Sequence, residues 1–238
     1  VAISHNLESH PGTSNKYIAG DALDLPLNIE PTEEDIELCT IIDNNNDGFT
    51  WFPRYIDTYY VFSYSYSSQN AADDWLILPP FRCEDTEYAY SVSAESAVAI
   101  NGYPESYEIY YGTSPEPEAM TKIFLKEGID NTSWKKDNAL FTIKEAGIYY
   151  VAIRCVSPAD RFDLRIRNIK VEKSEVSTSS PDVPTQIESV AAEGGLLKAT
   201  ISFNMPTTTI NGEPLKADLQ LEATVKTLAD RQPITGIP

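Results

Sequence analysis

The stretch GIYYVAIRCVSPADRFDLRIRNIKVE, residues 147–172, decides the fold. Both halves are rich in aromatic and β-branched residues, and a short polar turn separates them. In the second half Leu164 and Ile166 alternate with charged side chains, the period of two that marks a half-buried antiparallel strand. The same period recurs upstream in Tyr88, Tyr90 and Val92 of EYAYSVSA, residues 87–94. YYVFSY (59–64), DWLIL (74–78), SYEIYY (106–111) and ALFTI (139–143) are further strands broken by turn residues. Helix signals are few. Thr32 could cap a short helix through Leu38, with Glu33, Glu34 and Asp35 in its first turn, and residues 117–120 could form one helical turn. The expected class is all-β, an antiparallel β-sandwich.

Composition narrows the function. The 238 residues carry 36 acidic against 18 basic side chains, a formal charge of −18. Duplex binding needs clustered Lys and Arg to displace counterions from phosphates, so nucleic acid is excluded as a partner. An anionic membrane surface is disfavoured for the same reason, whereas divalent cations are natural counterions. Apolar residues make up 42% of the chain, enough for a packed core. No apolar run reaches about 18 residues, so no membrane-inserted helix is expected. The only histidines, His5 and His10, lie near the N-terminus, which leaves no histidine for a triad or zinc site further along. Cys39, Cys83 and Cys155 are too few and too scattered for a disulfide framework. They read either as three buried thiols or as one disulfide plus a spare thiol.

At roughly 150 residues per domain, the length suggests one large domain or up to two ordinary ones. SEVSTSSPDVP (174–184) is polar, rich in Ser and Pro and free of aromatics, as a linker would be. It separates a main domain, residues 26–173, from a segment 185–238 with strand-like runs at 186–191, 198–204 and 219–227. That segment is shorter than a sandwich of about 100 residues. Residues 1–25 hold only one short strand-like piece. The chain starts at Val1 without a signal segment and reads as a piece of a longer protein.

The sharpest chemical motif is Asp43-Asn44-Asn45-Asn46-Asp47-Gly48. Side-chain oxygens at alternate positions followed by a turn glycine match half of a calcium loop, because a hard cation needs six to eight converging oxygens. Arg54 stands where an EF-hand would place its bidentate glutamate, so this is no EF-hand. The site is either calcium on Asp43, Asn45 and Asp47 or an ordinary Asn/Asp turn. Asp73-Asp74 could supply ligands from another loop or simply be a solvated strand entry. Glu84-Asp85-Thr86-Glu87 sits in a turn, and its spacing does not oppose two carboxyls as glycosidase chemistry requires. Trp51, Trp75 and Trp134 are expected in the core. Tyr55 and Tyr103, near Pro and Gly, are the candidates for exposed ligand-binding aromatics. Asn131-Thr132-Ser133 is a weak glycosylation sequon.

In order along the chain, TIIDNNNDGFTW (40–51), DDWLILPPF (73–81), SYEIYYGTSPEPEAMTKI (106–123) and the 147–172 stretch resemble the cleaved-adhesin or choice-of-anchor-J domains. These are jelly-roll modules of gingipain-type haemagglutinin adhesins and of other surface proteins of anaerobic Gram-negative bacteria. The resemblance covers about residues 26–173. It implies a jelly-roll, non-catalytic, extracellular or cell-surface module with structural calcium on Asp43, Asn45 and Asp47. Members of that family usually close on an LDN or LDD motif. Here Ile166-Arg167-Asn168 puts a guanidinium where the carboxylate belongs, so a second calcium site at that position is lost or replaced by a salt bridge. Residues 184–215 are similar to the opening half of a fibronectin type III domain, a partial immunoglobulin-like segment. Residues 1–20 look like the closing strand and exit of another such domain. Incomplete sandwiches leave unpaired edges, which implies strand pairing between the two pieces or with a neighbouring copy or domain. The expected function is binding of a glycan or host protein through the loops at one end. The alternative is a structural spacer in a multidomain surface protein.

Overall fold

The computed structural model of the chain describes residues 22–32, 37–56, 58–178, 184–185, 187–195, 198–210, 212 and 214–215. Among the described residues fourteen strands carry the fold: β1 (Leu27–Ile29), β2 (Thr40–Asp43), β3 (Trp51–Ile56), β4 (Tyr59–Ser65), β5 (Asp74–Ile77), β6 (Phe81–Cys83), β7 (Tyr88–Val98), β8 (Glu105–Gly112), β9 (Thr121–Ile129), β10 (Lys135–Phe141), β11 (Gly147–Cys155), β12 (Asp163–Ser177), β13 (Glu188–Gly195) and β14 (Lys198–Asn204). The first sheet runs β10-β7-β12-β4-β3, with β1 also pairing β12. The second runs β2-β5-β11-β8-β9, with β6 also pairing β11. All these pairings are antiparallel, and the two sheets form a jelly-roll sandwich. Residues 117–119 form a single 3-10 turn, as the sequence leads one to expect. Of the helix expected from Thr32, residues 33–36 lie outside the described set, while Glu37 and Leu38 are helical.

Alternation fixes which side chains meet. On β12, Leu164 and Ile166 face the sandwich interior, while Arg165 and Arg167 face outward; Asn168, left-handed at φ 51°, sits in a register shift that carries the strand on to Ile169 and Val171. Asparagine tolerates that conformation better than most residues. Across the interior, Phe62, Tyr64, Phe81, Tyr107, Ile109, Val151 and Ile153 form one apolar cluster with Trp51, whose indole meets Tyr64 edge-on at 5.9 Å. The second sheet is also apolar on its outer face, where Trp75, Ile77, Tyr150 and Ala152 form a smaller buried cluster. All three cysteines are buried thiols outside any disulfide.

A polar network links strands of both sheets. Lys126 of β9 donates to both carboxylate oxygens of Asp137 on β10, at 2.7 and 2.8 Å, and Tyr107 of β8 donates to the same carboxylate at 2.8 Å. Tyr107 is wholly buried. Asp137→Ala strips the acceptor from a buried hydroxyl and an ammonium together, and is expected to cost about 2–3 kcal/mol in urea unfolding. A variant as stable as the parent would contradict this role.

Beyond the jelly roll, β12 continues to Ser177, so the segment read as linker begins in strand. β13 and β14 pair with each other as a two-stranded sheet, matching the runs expected near 186–191 and 198–204. Nearly all of residues 1–25, both histidines, Asn211 and the expected strand at 219–227 lie outside the described residues.

Candidate functional site

The connections β2–β3 (44–50), β4–β5 (66–73), β7–β8 (99–104) and β11–β12 (156–162) gather at one end of the sandwich. Backbone bonds knit them together: Ala72 N–H donates to the Ser157 carbonyl at 2.9 Å, Asp160 N–H to the Ser67 carbonyl at 2.9 Å, and Ala99 N–H to the Asp163 carbonyl at 3.2 Å.

The β2–β3 loop is the Asp/Asn motif. Asp43 accepts the N–H groups of Asp47 and Gly48 at 3.2 and 2.8 Å, and Asn45 Oδ1 accepts that of Asp47 at 3.3 Å. Gly48 lies at φ 85°, a conformation that resists any other residue. Asn45 Nδ2 also donates to the Ala71 carbonyl at 2.9 Å, tying this loop to the β4–β5 loop. Asp43 stands directly opposite Asp74 in the β2–β5 register, and both are buried. Like charges facing each other across a ladder repel. Asp74 Oδ1 and Asp47 Oδ2 are buried without a hydrogen-bond partner. Burial, then the charges of Asp43 and Asp47, push the Asp74 carboxyl up to about 7. Desolvation, with Asp74 and Asp47 close by, likewise raises the neighbouring Tyr64 hydroxyl.

Asp73 has a different fate. Arg154 Nε reaches it at 2.7 Å, Asn44 at 2.8 Å and Trp75 Nε1 at 3.2 Å. Burial alone would raise Asp73, but these bonds outweigh it and hold the carboxyl below its ordinary value. The adjacent carboxylates therefore split: Asp73 is an ion-pair partner, and Asp74 turns inward to the loop. Among the described residues no three His, Cys, Asp or Glu side chains converge closely enough to hold a metal by themselves.

Beside this cradle lies an exposed aromatic cluster. Phe162 sits 5.9 Å from Tyr66 and 6.1 Å from Tyr103, ring centre to ring centre. Tyr103 is 45% exposed, Phe162 39% and Ile100 49%. Phe162 is anchored from below, its N–H donating at 2.9 Å to the wholly buried Glu105. Tyr103 thus lies in a loop as expected, and Phe162 and Tyr66 join it. Tyr55 does not. It stands in β3 rather than in a loop, paired with Tyr60 at the far end of the β3–β4 hairpin, with ring centres 4.7 Å apart. The reading as a loop residue came from Pro53, which an edge strand tolerates because its missing N–H faces away from the ladder. Tyr55 is nonetheless 58% exposed.

Arg167, at the position of the LDN departure, pairs with Glu95 at 2.8 Å and lies over the rings of Trp134 and Tyr59 at 4.2 and 4.9 Å. Trp134 is therefore only half-buried, under a guanidinium rather than in the core. Asn131 of the sequon donates to the Ser96 and Ser133 carbonyls, so its amide is already engaged.

The architecture is that of an adhesin-type jelly roll. The chain is similar to the K1 cleaved adhesin domain of Lys-gingipain from Porphyromonas gingivalis, with 16% identity and a TM-score of 0.51 over 62% of this chain and 98% of that one. The K3 cleaved adhesin domain of the same gingipain aligns at 18% identity and TM-score 0.49, over 61% and 97% of the two chains. A xylan-binding domain from Paenibacillus barcinonensis aligns at 7% identity and TM-score 0.44, over 62% and 99%. At such identities the likeness is one of fold. No protein-family model matches the sequence, and no curated protein matches it. Among the described residues no helix is long and apolar enough to cross a membrane.

Proposed function

We propose that the chain is a non-catalytic, cell-surface or secreted binding module whose loop end takes a glycan on Tyr103, Phe162 and Tyr66. The exposed aromatic cluster carries this reading. Rings held at fixed spacing on a rigid sandwich stack against the C–H faces of sugars, and they lose little freedom on binding. The second part of the reading is a structural calcium ion. Asp43, Asn45 and Asp47, with Asp74 drawn in from the facing strand, would have to close on it, since they do not converge on one point without it, and backbone carbonyls and water would complete its oxygen shell. The two orphaned carboxylate oxygens support this assignment. Bound calcium would neutralise the facing carboxylates and brace the β2–β3 loop against the β4–β5 loop that bears Tyr66.

Titration calorimetry with a bound glycan tests the platform. Tyr103→Ala and Phe162→Ala are each expected to weaken binding by about five- to thirtyfold, because each removes a stacking ring worth about 1–2 kcal/mol. Tyr55→Ala, at the far end of the hairpin, is expected to leave affinity within twofold. Binding lost with Tyr55 and kept without Tyr103 would move the site away from the loop end. A chain that binds no glycan would favour a spacer.

A further inference from the structure

A second recess lies away from the loop end, where the jelly roll meets the segment after residue 184. It is a cleft of about 640 Å³, within the range of ligand-binding clefts. Tyr111, Phe141 and Tyr149 line its jelly-roll wall, and Thr185, Thr208 and Thr209 line the other. Tyr111 and Phe141 stack at 4.7 Å. The Tyr111 hydroxyl makes no hydrogen bond to a described residue. Behind them the wall is close-packed: a Cβ added at Gly112 would lie 3.1 Å from the Ala119 carbonyl oxygen, so the backbone itself shapes the recess.

The lining chemistry is unusual for this chain. Among the described residues that line it six are threonines, two are lysines, and none is Asp or Glu, although the chain carries 36 acidic residues. Glu108 holds Lys122 at 2.9 Å from outside the cleft, while exposed Lys144 makes no ion pair with a described residue. Hydroxyls and aromatic rings suit a sugar. The lack of carboxylates among the described lining residues, with an ammonium at the rim, selects a sugar bearing negative charge, since the rest of the surface repels it.

We propose that this cleft is a second binding site, for a short acidic oligosaccharide, formed jointly by the jelly roll and the segment that follows it. It uses none of the loop-end residues, so it stands or falls separately from the platform of Tyr103 and Phe162.

The test uses the full chain and a panel of two- and three-residue oligosaccharides. Uronates, sialosides and sulfated sugars are each set beside a neutral counterpart and titrated by microscale thermophoresis up to millimolar concentration. At least one acidic member is expected to bind at least tenfold tighter than its neutral partner. Lys144→Glu, an exposed change, is expected to remove that preference. Thr121→Trp and Thr208→Trp, which fill the cleft from opposite walls, are expected to abolish binding while circular dichroism stays unchanged. Tyr103→Ala is expected to bind as the parent does. The proposal is overturned by a blank panel, by equal binding of acidic and neutral sugars, or by parent-like binding in Lys144→Glu and both tryptophan variants. A chain that binds a polyglutamate peptide and no acidic sugar overturns it as well.

Discussion

In chelator at pH 8, Asp74→Asn is expected to melt above the parent chain, and in millimolar calcium it is expected to melt below it. The crossover follows from one carboxyl group. Without a cation, burial beside Asp43 and Asp47 raises Asp74 from an ordinary 3.8 to about 7, so the folded chain holds that proton more tightly than the unfolded one. The stability linked to it is fully present below about pH 4 and is lost as pH rises through about 7. At pH 8 the metal-free parent therefore carries facing anions that asparagine does not. Calcium at the proposed site would reverse the balance by binding the folded form alone. At about 100 times its dissociation constant a ligand stabilises by about 2.7 kcal/mol, which is about 5–10 °C for a domain of this size. Asp74→Asn would remove a proposed ligand and with it most of that rise. Scanning calorimetry of both chains with calcium and with chelator reads all four values. A parent indifferent to calcium would remove the metal, and a variant less stable in chelator would remove the facing-anion argument.

Trp51→Ala is the second large effect, expected to cost about 3–5 kcal/mol in urea unfolding. The indole is wholly buried, meets Tyr64 edge-on at 5.9 Å, and its Nε1–H donates to the Asp74 carbonyl at 2.9 Å. It thus fixes the first sheet to the residue on which the proposed cation site turns. Trp51→Phe keeps a six-membered ring but loses that bond and the rest of the indole's volume, so it is expected to cost less, about 2–3 kcal/mol. Equal losses in the two variants would mean that the indole N–H, rather than the packed volume, carries the effect.

Much of this fold was legible because alternation survives wherever a strand buries one face. β7 and β12 lie where the period of two places them, and β4, β5, β8 and β11 lie where their aromatic and β-branched runs do. β3 and β9 were missed for related reasons. Both are edge strands: Pro53 disguises the first, and the exposed, charged run TKIFLKEGI of β9 buries little. β1 and β6 are three residues each, too short to show a period. At the site, the Asp43-to-Gly48 loop could be read directly, since its oxygens are local. That Asp74 faces Asp43 while Asp73 turns to Arg154 could not, because it depends on the β2–β5 register and on a side chain from β11. Tyr103 was readable as an exposed loop aromatic. Its neighbour Phe162 blends into the strand-forming second half of residues 147–172, though an aromatic straight after the Pro158-Ala159-Asp160-Arg161 turn is itself a sign of an exposed ring. Tyr55 shows the opposite error: exposure was read correctly, but its place was not.

The most direct test of the central reading is a glycan array probed with the parent chain and with a Tyr103→Ala/Phe162→Ala double variant, both in calcium. The expected result is reproducible binding of the parent to a defined set of glycans, lost in the double variant while its melting temperature stays within a few degrees. Parent and double variant binding the same glycans equally, or neither binding any, would contradict a glycan platform at the loop end.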